Sequence, residues 1–240
     1  MHYNNGMVNN YKIEVVVNNV VDDAIEAVKH GVDRFELVSA IELGGCTPTI
    51  GPLKEIRKAC GNVEIVCMNR PRGGNFVYSQ KEFESMLEDT KSMIENGADG
   101  IVFGFLHEDN SLDEEKTKQM IDLIHTYKKE AIFHKASDMV NDLDATVEKL
   151  IELGIDRIMT NGAAKEADLS DGCAVMAALQ DKYGSKVQFL FGGGIRANNI
   201  KRCLETSKTN QVHMTSKTTS ASGYTCLDPI QLDEILSQLR

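Results

Sequence analysis

Proline is scarce in this chain, with 4 among 240 residues, and glycine is ordinary at 19, which excludes collagen-like and low-complexity architectures. Cysteine occurs at positions 46, 60, 67, 173, 203 and 226, but no Cys-x-x-Cys pair is present. Scattered thiols of this kind fit a reducing cytoplasmic setting better than a disulfide framework or a structural zinc site. No uncharged apolar run approaches the roughly 20 residues that a membrane helix needs. An excess of positive charge is missing too. The formal net charge is -10, which argues against nucleic acid as the main partner. Several familiar catalytic signatures are absent: G-x-S-x-G, the P-loop lysine motif, H-E-x-x-H and G-x-G-x-x-G. The sequence is therefore expected to work in the cytoplasm, with no nucleic-acid or membrane partner.

What is present is a globular composition. Apolar residues make up 42% and charged residues 26%. A chain of this size buries roughly 70% of its unfolded surface. Residues 1–11 are polar and Asn-rich and lack the basic and apolar stretches of a secretory signal. They are expected to form a disordered arm, with residues 12–240 as one folded domain.

Short apolar runs alternate with longer amphipathic stretches. Strands are expected at Ile13–Val17, Arg34–Val38, Glu64–Met68, Ile101–Phe105, Ala131–His134, Arg157–Thr160, Gln188–Phe191 and Val212–Thr215. Helices are expected at Val21–His30 with Asn19 as cap, Ile50–Ala59, Gln80–Asn96, Asp113–Lys129, Leu143–Leu153, Asp171–Tyr183, Asn198–Glu205 and Pro229–Leu239. Ser79 and Glu82 stand at capping-box spacing before the third helix. A Gly-x-Asp phrase recurs before three of the strands, at Gly31, Gly97 and Gly154. The glycine suits the left-handed end of a helix. Eight strand–helix pairs, about 30 residues each, predict an α/β fold of the (β/α)8 TIM-barrel type in a single domain. An open doubly wound sheet is the alternative, but the first turn, from Val17 to Val20, has no glycine.

Active sites of such barrels sit where the strands end. After the third strand comes Asn69-Arg70-Pro71-Arg72-Gly73-Gly74. Arg70 and Arg72 offer forked donors for an anion, and adjacent glycines expose backbone N–H groups. After the seventh comes Gly192-Gly193-Gly194, where Gly193 and Gly194 could cradle a phosphate or carboxylate. His134 ends the fifth strand and could move protons. Lys135 follows, and strand alternation predicts that only one of the two enters the barrel. His213 on the eighth strand has the same two readings, structural or functional. Glu14 and Glu36 lie on adjacent strands. If both face inward they form either an acid–base pair or part of a structural ion-pair layer. Glu14, Glu36 and His134 are thus the catalytic candidates, and a small anionic ligand is the expected partner.

Several of these phrases resemble the CutC copper-homeostasis family. They are Arg70 to Gly74 with Phe76, Tyr78 and Ser79, Gly44-Gly45 with Thr47-Pro48, Phe133-His134 with Asp138-Met139, Leu153-Gly154 to Thr160, and Gly192 to Arg196. The likeness runs from about Lys12 to Ser216. It implies a cytosolic, commonly oligomeric (β/α)8 barrel with a role in copper homeostasis and copper as its associated metal. It also implies an anion at the barrel mouth, and Asp138 joins the ligand-binding set through this motif. The chain departs from the family pattern at defined places. Val16 and Val38 stand where the family's copper proposal uses cysteines, so the metal ligands are unassigned. Lys135 replaces an arginine and Ser137 a phenylalanine. The segment Lys217 to Leu227 is short, so the loop over the mouth is expected to be reduced. Two functions stay open: a copper-homeostasis protein, or a TIM-barrel enzyme acting on a phosphorylated or carboxylated small molecule.

Overall fold

A computed structural model describes residues 10–164 and 168–240. Eight parallel strands close in chain order into a barrel: β1 (Lys12–Asn18), β2 (Arg34–Val38), β3 (Glu64–Met68), β4 (Gly100–Phe103), β5 (Glu130–Phe133), β6 (Arg157–Thr160), β7 (Gln188–Gly192) and β8 (Gln211–Met214), with β8 pairing back to β1. The helices alternate with them: α1 (Val21–Lys29), α2 (Ile50–Cys60), α3 (Gln80–Glu95), α4 (Glu114–Thr126), α5 (Leu143–Leu153), α6 (Ser170–Tyr183), α7 (Ile200–Ser207) and α8 (Pro229–Ser237). This is the predicted (β/α)8 barrel, and the expected boundaries hold to within about three residues.

Strand alternation divides the core in two. Val38, Val66, Met68, Val102 and Ile132 pack together, with Val16 and Ile41 against them. Their neighbours Ile13, Val15, Phe35, Leu37, Ile65, Cys67, Ile101 and Phe103 belong to the larger core, which also holds residues of the surrounding helices. Burial on both faces explains why the strands read as continuous apolar runs.

The recurring Gly-x-Asp phrase has a structural reason. Gly31, Gly97 and Gly154 all have left-handed φ angles, at +87°, +111° and +95°. The aspartate that follows each one clamps the preceding strand. Asp33 accepts from the Ile13 N–H at 2.8 Å, Asp99 from Ile65 at 3.0 Å and Asp156 from Ala131 at 2.8 Å. These contacts join β1 to β2, β3 to β4 and β5 to β6. The repeat therefore marks two strand–helix units at a time.

The N-terminal end of the barrel is filled with charge. Arg34 and Arg157 are essentially buried. Arg34 donates to Glu14 and, at 2.9 Å, to Gln211. Arg157 donates to Glu130 and lies 3.3 Å from Glu64 and 3.7 Å from Glu14. Lys12 adds a further bond to Glu64. Charges withdrawn from water in this way are tolerable only when each is paired.

Three expectations need correction or restriction. Asn19 does not cap α1: it adopts a left-handed φ of +55°, and the cap position falls to Val20, which offers no side-chain bond. The segment after β8 is more than a shortened loop. It forms an antiparallel hairpin, β9 (Lys217–Thr219) with β10 (Thr225–Leu227), which carries no long apolar run to announce it. Residues 1–9 of the expected arm lie outside the described residues, and Tyr11 packs against the core. The Ser79–Glu82 capping box is present as expected.

The buried charge layer yields a direct test. Arg34→Met leaves Glu14 and Glu64 short of a cation and is expected to lower stability by about 3–5 kcal/mol in urea unfolding. A loss below about 1 kcal/mol would mean that the layer is solvated.

Candidate functional site at the barrel mouth

A cavity of about 420 Å³ opens at the C-terminal ends of the strands. Its floor is the inner apolar cluster, through Val16, Val38 and Met68. Its polar wall comes from Glu36, Arg70, His134, Lys135, Gly193, Gly194, Arg196 and His213.

β7 runs directly into the glycine loop. Gly193 and Gly194 have φ angles of +111° and +75°, a region that side chains disfavour. Asn199 fixes the loop by donating to the Gly194 carbonyl at 2.9 Å and accepting from the Arg196 N–H at 2.8 Å. A Cβ on Gly193 would meet Lys135 Nζ at 2.8 Å and Asn161 Nδ2 at 3.2 Å. An ammonium and an amide donor therefore converge on a loop with no side chains of its own. Backbone N–H groups and a nearby cation are the usual equipment for holding an oxyanion.

The two arginines of the β3 loop part company. Arg70 is buried against the cavity, and its guanidinium braces the rim. It donates to the carbonyls of Leu43 at 2.8 Å, Gly45 at 3.0 Å and Gly74 at 2.8 Å. Its Nε has no partner, and its charge lies over the Phe76 ring at 5.3 Å. Arg72 turns away from the cavity. It binds Glu82 at 2.5 Å and the Val77 carbonyl at 2.8 Å, at the start of α3. The structure thus gives Arg72 a bracing role in place of the expected anion contact.

His134 and Lys135 both reach the cavity, contrary to the alternation argument. β5 ends at Phe133, and a 3-10 turn begins at Lys135, so strand alternation no longer applies. The His134 ring stacks on Phe76 with centroids 4.6 Å apart. Its Nδ1 accepts from the Ala136 N–H at 3.0 Å, which leaves the proton on Nε2. Burial, aided by the Arg70 cation, pushes its pKa down to about 3, so the imidazole is neutral. Gly104 makes room for this ring, because a Cβ there would collide with it.

The two glutamates have different fates. Glu14 lies below the cavity. Burial alone would raise its pKa, but Arg34, a hydrogen bond from His213 and Arg157 outweigh that and hold it ionised. His213 Nδ1 lies 2.7 Å from Glu14, and its Nε2 lies 3.7 Å from Glu36. Glu36 reaches the cavity, with Oε1 unpartnered. Burial pushes its pKa up to about 7, with the charge of Glu14 adding to the effect and His213 only partly offsetting it. The pair is therefore one structural carboxylate and one titratable carboxylate, bridged by a histidine whose own pKa is raised by both despite its burial.

Asp138 sits behind the rim rather than in the cavity. It binds Thr160 and accepts from the N–H groups of Asn161 at 3.2 Å and Ala163 at 3.1 Å, which orders the loop after β6. Arg196 and Phe76, quoted above only within the family phrases, line the mouth, and Asn161 stands against the Gly193 loop.

The donor set does not suit a thiolate copper clamp. Val16 and Val38 line the cavity, and no cysteine does. Cys67 packs in the outer core, where burial raises its pKa. Among the described residues no group of three His, Cys, Asp or Glu side chains is placed to hold a metal ion. Among them, too, no helix is long and apolar enough to cross a membrane.

The chain was compared with known proteins. The model of the CutC family matches residues 11–218. A family protein CutC from Treponema denticola is 37% identical over 204 residues, covering 85% of this chain and 80% of that protein. The human copper homeostasis protein cutC homolog is 35% identical over 218 residues, covering 91% of this chain and 78% of its own length. A crystal structure of CutC from Streptococcus agalactiae superposes with a TM-score of 0.78 at 28% identity, over 85% of this chain and 97% of that one. Phosphoribosylanthranilate isomerase from Thermotoga maritima shares the barrel alone, with a TM-score of 0.62 at 11% identity. Matched over most of its length, the chain belongs to the CutC family.

Proposed function

We propose that this chain is a cytoplasmic copper-homeostasis protein that works through a small anion held at the barrel mouth. The relatives' names supply the copper-homeostasis part. The anion part rests on one observation: Lys135 Nζ and Asn161 Nδ2 converge on the side-chain-free loop at Gly193. Arg196 on the rim and the buried Arg70 add positive charge to the same cavity. A phosphate or carboxylate group fits this chemistry. The cavity's sulfur groups are the thioethers of Met68, Met159 and Met214, with no thiolate among them, which favours the anion over a thiolate copper clamp there.

Glu36 gives the site a pH dependence. Its raised pKa means that the folded protein holds a proton that the unfolded chain has released between about pH 4.5 and 7. This contribution to stability falls as pH rises through that window. A neutral Glu36 also repels an anion less than an ionised one does.

Three outcomes are expected. Calorimetric titration with sulfate, whose charge is constant near neutrality, should show binding that Lys135→Ala weakens at least about tenfold and Arg72→Ala leaves within about twofold. The reverse pattern would move the anion to the α3 loop. Sulfate affinity should fall as pH rises through about 7, and Glu36→Gln should flatten that dependence. An unchanged slope in the variant would remove Glu36 from the site. In competition against a Cu(I) chelator, the reduced protein should retain no copper at the mouth. Stoichiometric Cu(I) that is lost when Met68, Met159 and Met214 are replaced by leucine would contradict this.

A further inference from the structure

The cavity holds two buried polar atoms of complementary kind, and neither has a partner. They are Glu36 Oε1 on β2 and His134 Nε2 after β5. The two strands are three places apart in an eight-strand ring, so the groups enter from well-separated walls. One is a proton acceptor. The other is a neutral N–H donor whose tautomer is fixed by the Ala136 N–H. Neither is used up by the fold, unlike Glu14, whose oxygens are bound by Arg34 and His213. A carboxylate base and a neutral imidazole lining one cavity, beside a handle for an anion, are suited to moving a proton next to a carbonyl group.

We propose that the mouth catalyses proton transfer at a carbon adjacent to a carbonyl in a small phosphorylated or carboxylated molecule, with Glu36 as base and His134 Nε2–H bonding the carbonyl oxygen. The proposal rests on the anion-pocket reading given above. In the step, the Glu36 carboxylate takes the proton from carbon. The C–H electron pair becomes a carbon–carbon double bond, and the carbonyl π pair moves onto oxygen. The resulting enolate oxygen accepts the hydrogen bond from His134. Return of the proton from Glu36 to carbon restores the carboxylate, so no oxidant, reductant or co-reactant is consumed. The groups that set the proton affinity of Glu36 are His213 on β8, Glu14 on β1 and Arg34 on β2. Lys135 acts on His213 from the β5 side.

The test is solvent exchange. The full chain is incubated in deuterium oxide with dihydroxyacetone phosphate, ribulose 5-phosphate or pyruvate, and the proton signal next to the carbonyl is followed by NMR. Sulfate binding is measured in parallel on the same proteins. The expected result is protein-dependent exchange of at least one probe. It should rise as pH passes about 7, where sulfate affinity falls, because the base must be ionised. Glu36→Gln should slow exchange by about 10²–10⁴-fold while sulfate still binds. Glu36→Asp should recover part of the loss and serves as the second variant if Glu36→Gln misfolds. Sulfate binding with no exchange of any probe would overturn the proposal and leave the anion reading standing. Absence of both would overturn the two together. Exchange that survives Glu36→Gln would overturn the assignment of the base.

Discussion

The mouth depends on how the charge of Glu14 is held. Its carboxylate lies buried inside the barrel, bonded to Arg34 and close to Arg157. Those cations keep it ionised, and an ionised Glu14 in turn fixes His213 above it at 2.7 Å. His213 stands 3.7 Å from Glu36, so Glu36 faces an imidazole already engaged by a stronger partner. The result is a vertical series of charges. At the bottom are permanent ion pairs that specify the barrel. At the top is one carboxylate whose nearest cation is a histidine shared with Glu14, and whose pKa lies near neutrality. Pairs of titratable groups whose surroundings push their pKa values apart are a common source of acid–base function.

The family to which the chain belongs carries a name drawn from copper, while we propose an anion site for the mouth of this chain. The two are compatible if the link to copper is metabolic rather than a matter of direct ligation. Valines stand in the cavity lining at 16 and 38, and none of the six cysteines lines it. Cys173 and Cys203 are a case in point. They interact with each other beneath α6 and α7, and burial with this mutual contact pushes Cys203 up to about 12. Thiols of that kind behave as packing groups.

Much of the fold was legible in the sequence because the parallel barrel has a strong period. Strands buried on both faces give unbroken apolar runs, and the Gly-x-Asp joints recur for a mechanical reason, namely the clamp from Asp33, Asp99 and Asp156 to the strand before. The hairpin of β9 and β10 was not legible, because its two strands are three residues each and mostly polar. Of the cavity lining, His134, Arg70, Gly193 and Gly194 were readable from their places at strand ends, and Glu36 from its place inside β2. Arg72 and Asp138 were misplaced because a strand-end position shows that a side chain is near the mouth but not which way it turns. Glu82 and Thr160 decide that, and neither is a neighbour in sequence. Lys135 was judged by strand alternation, which stops applying one residue earlier than expected.

The most direct measurement is a crystal structure of the protein soaked with inorganic phosphate near pH 6. The account predicts an anion in the cavity, in contact with the Gly193–Gly194 backbone and Lys135, with Arg72 still bonded to Glu82. Phosphate seated on Arg72 outside the cavity, or a cavity closed by its own side chains, would contradict it.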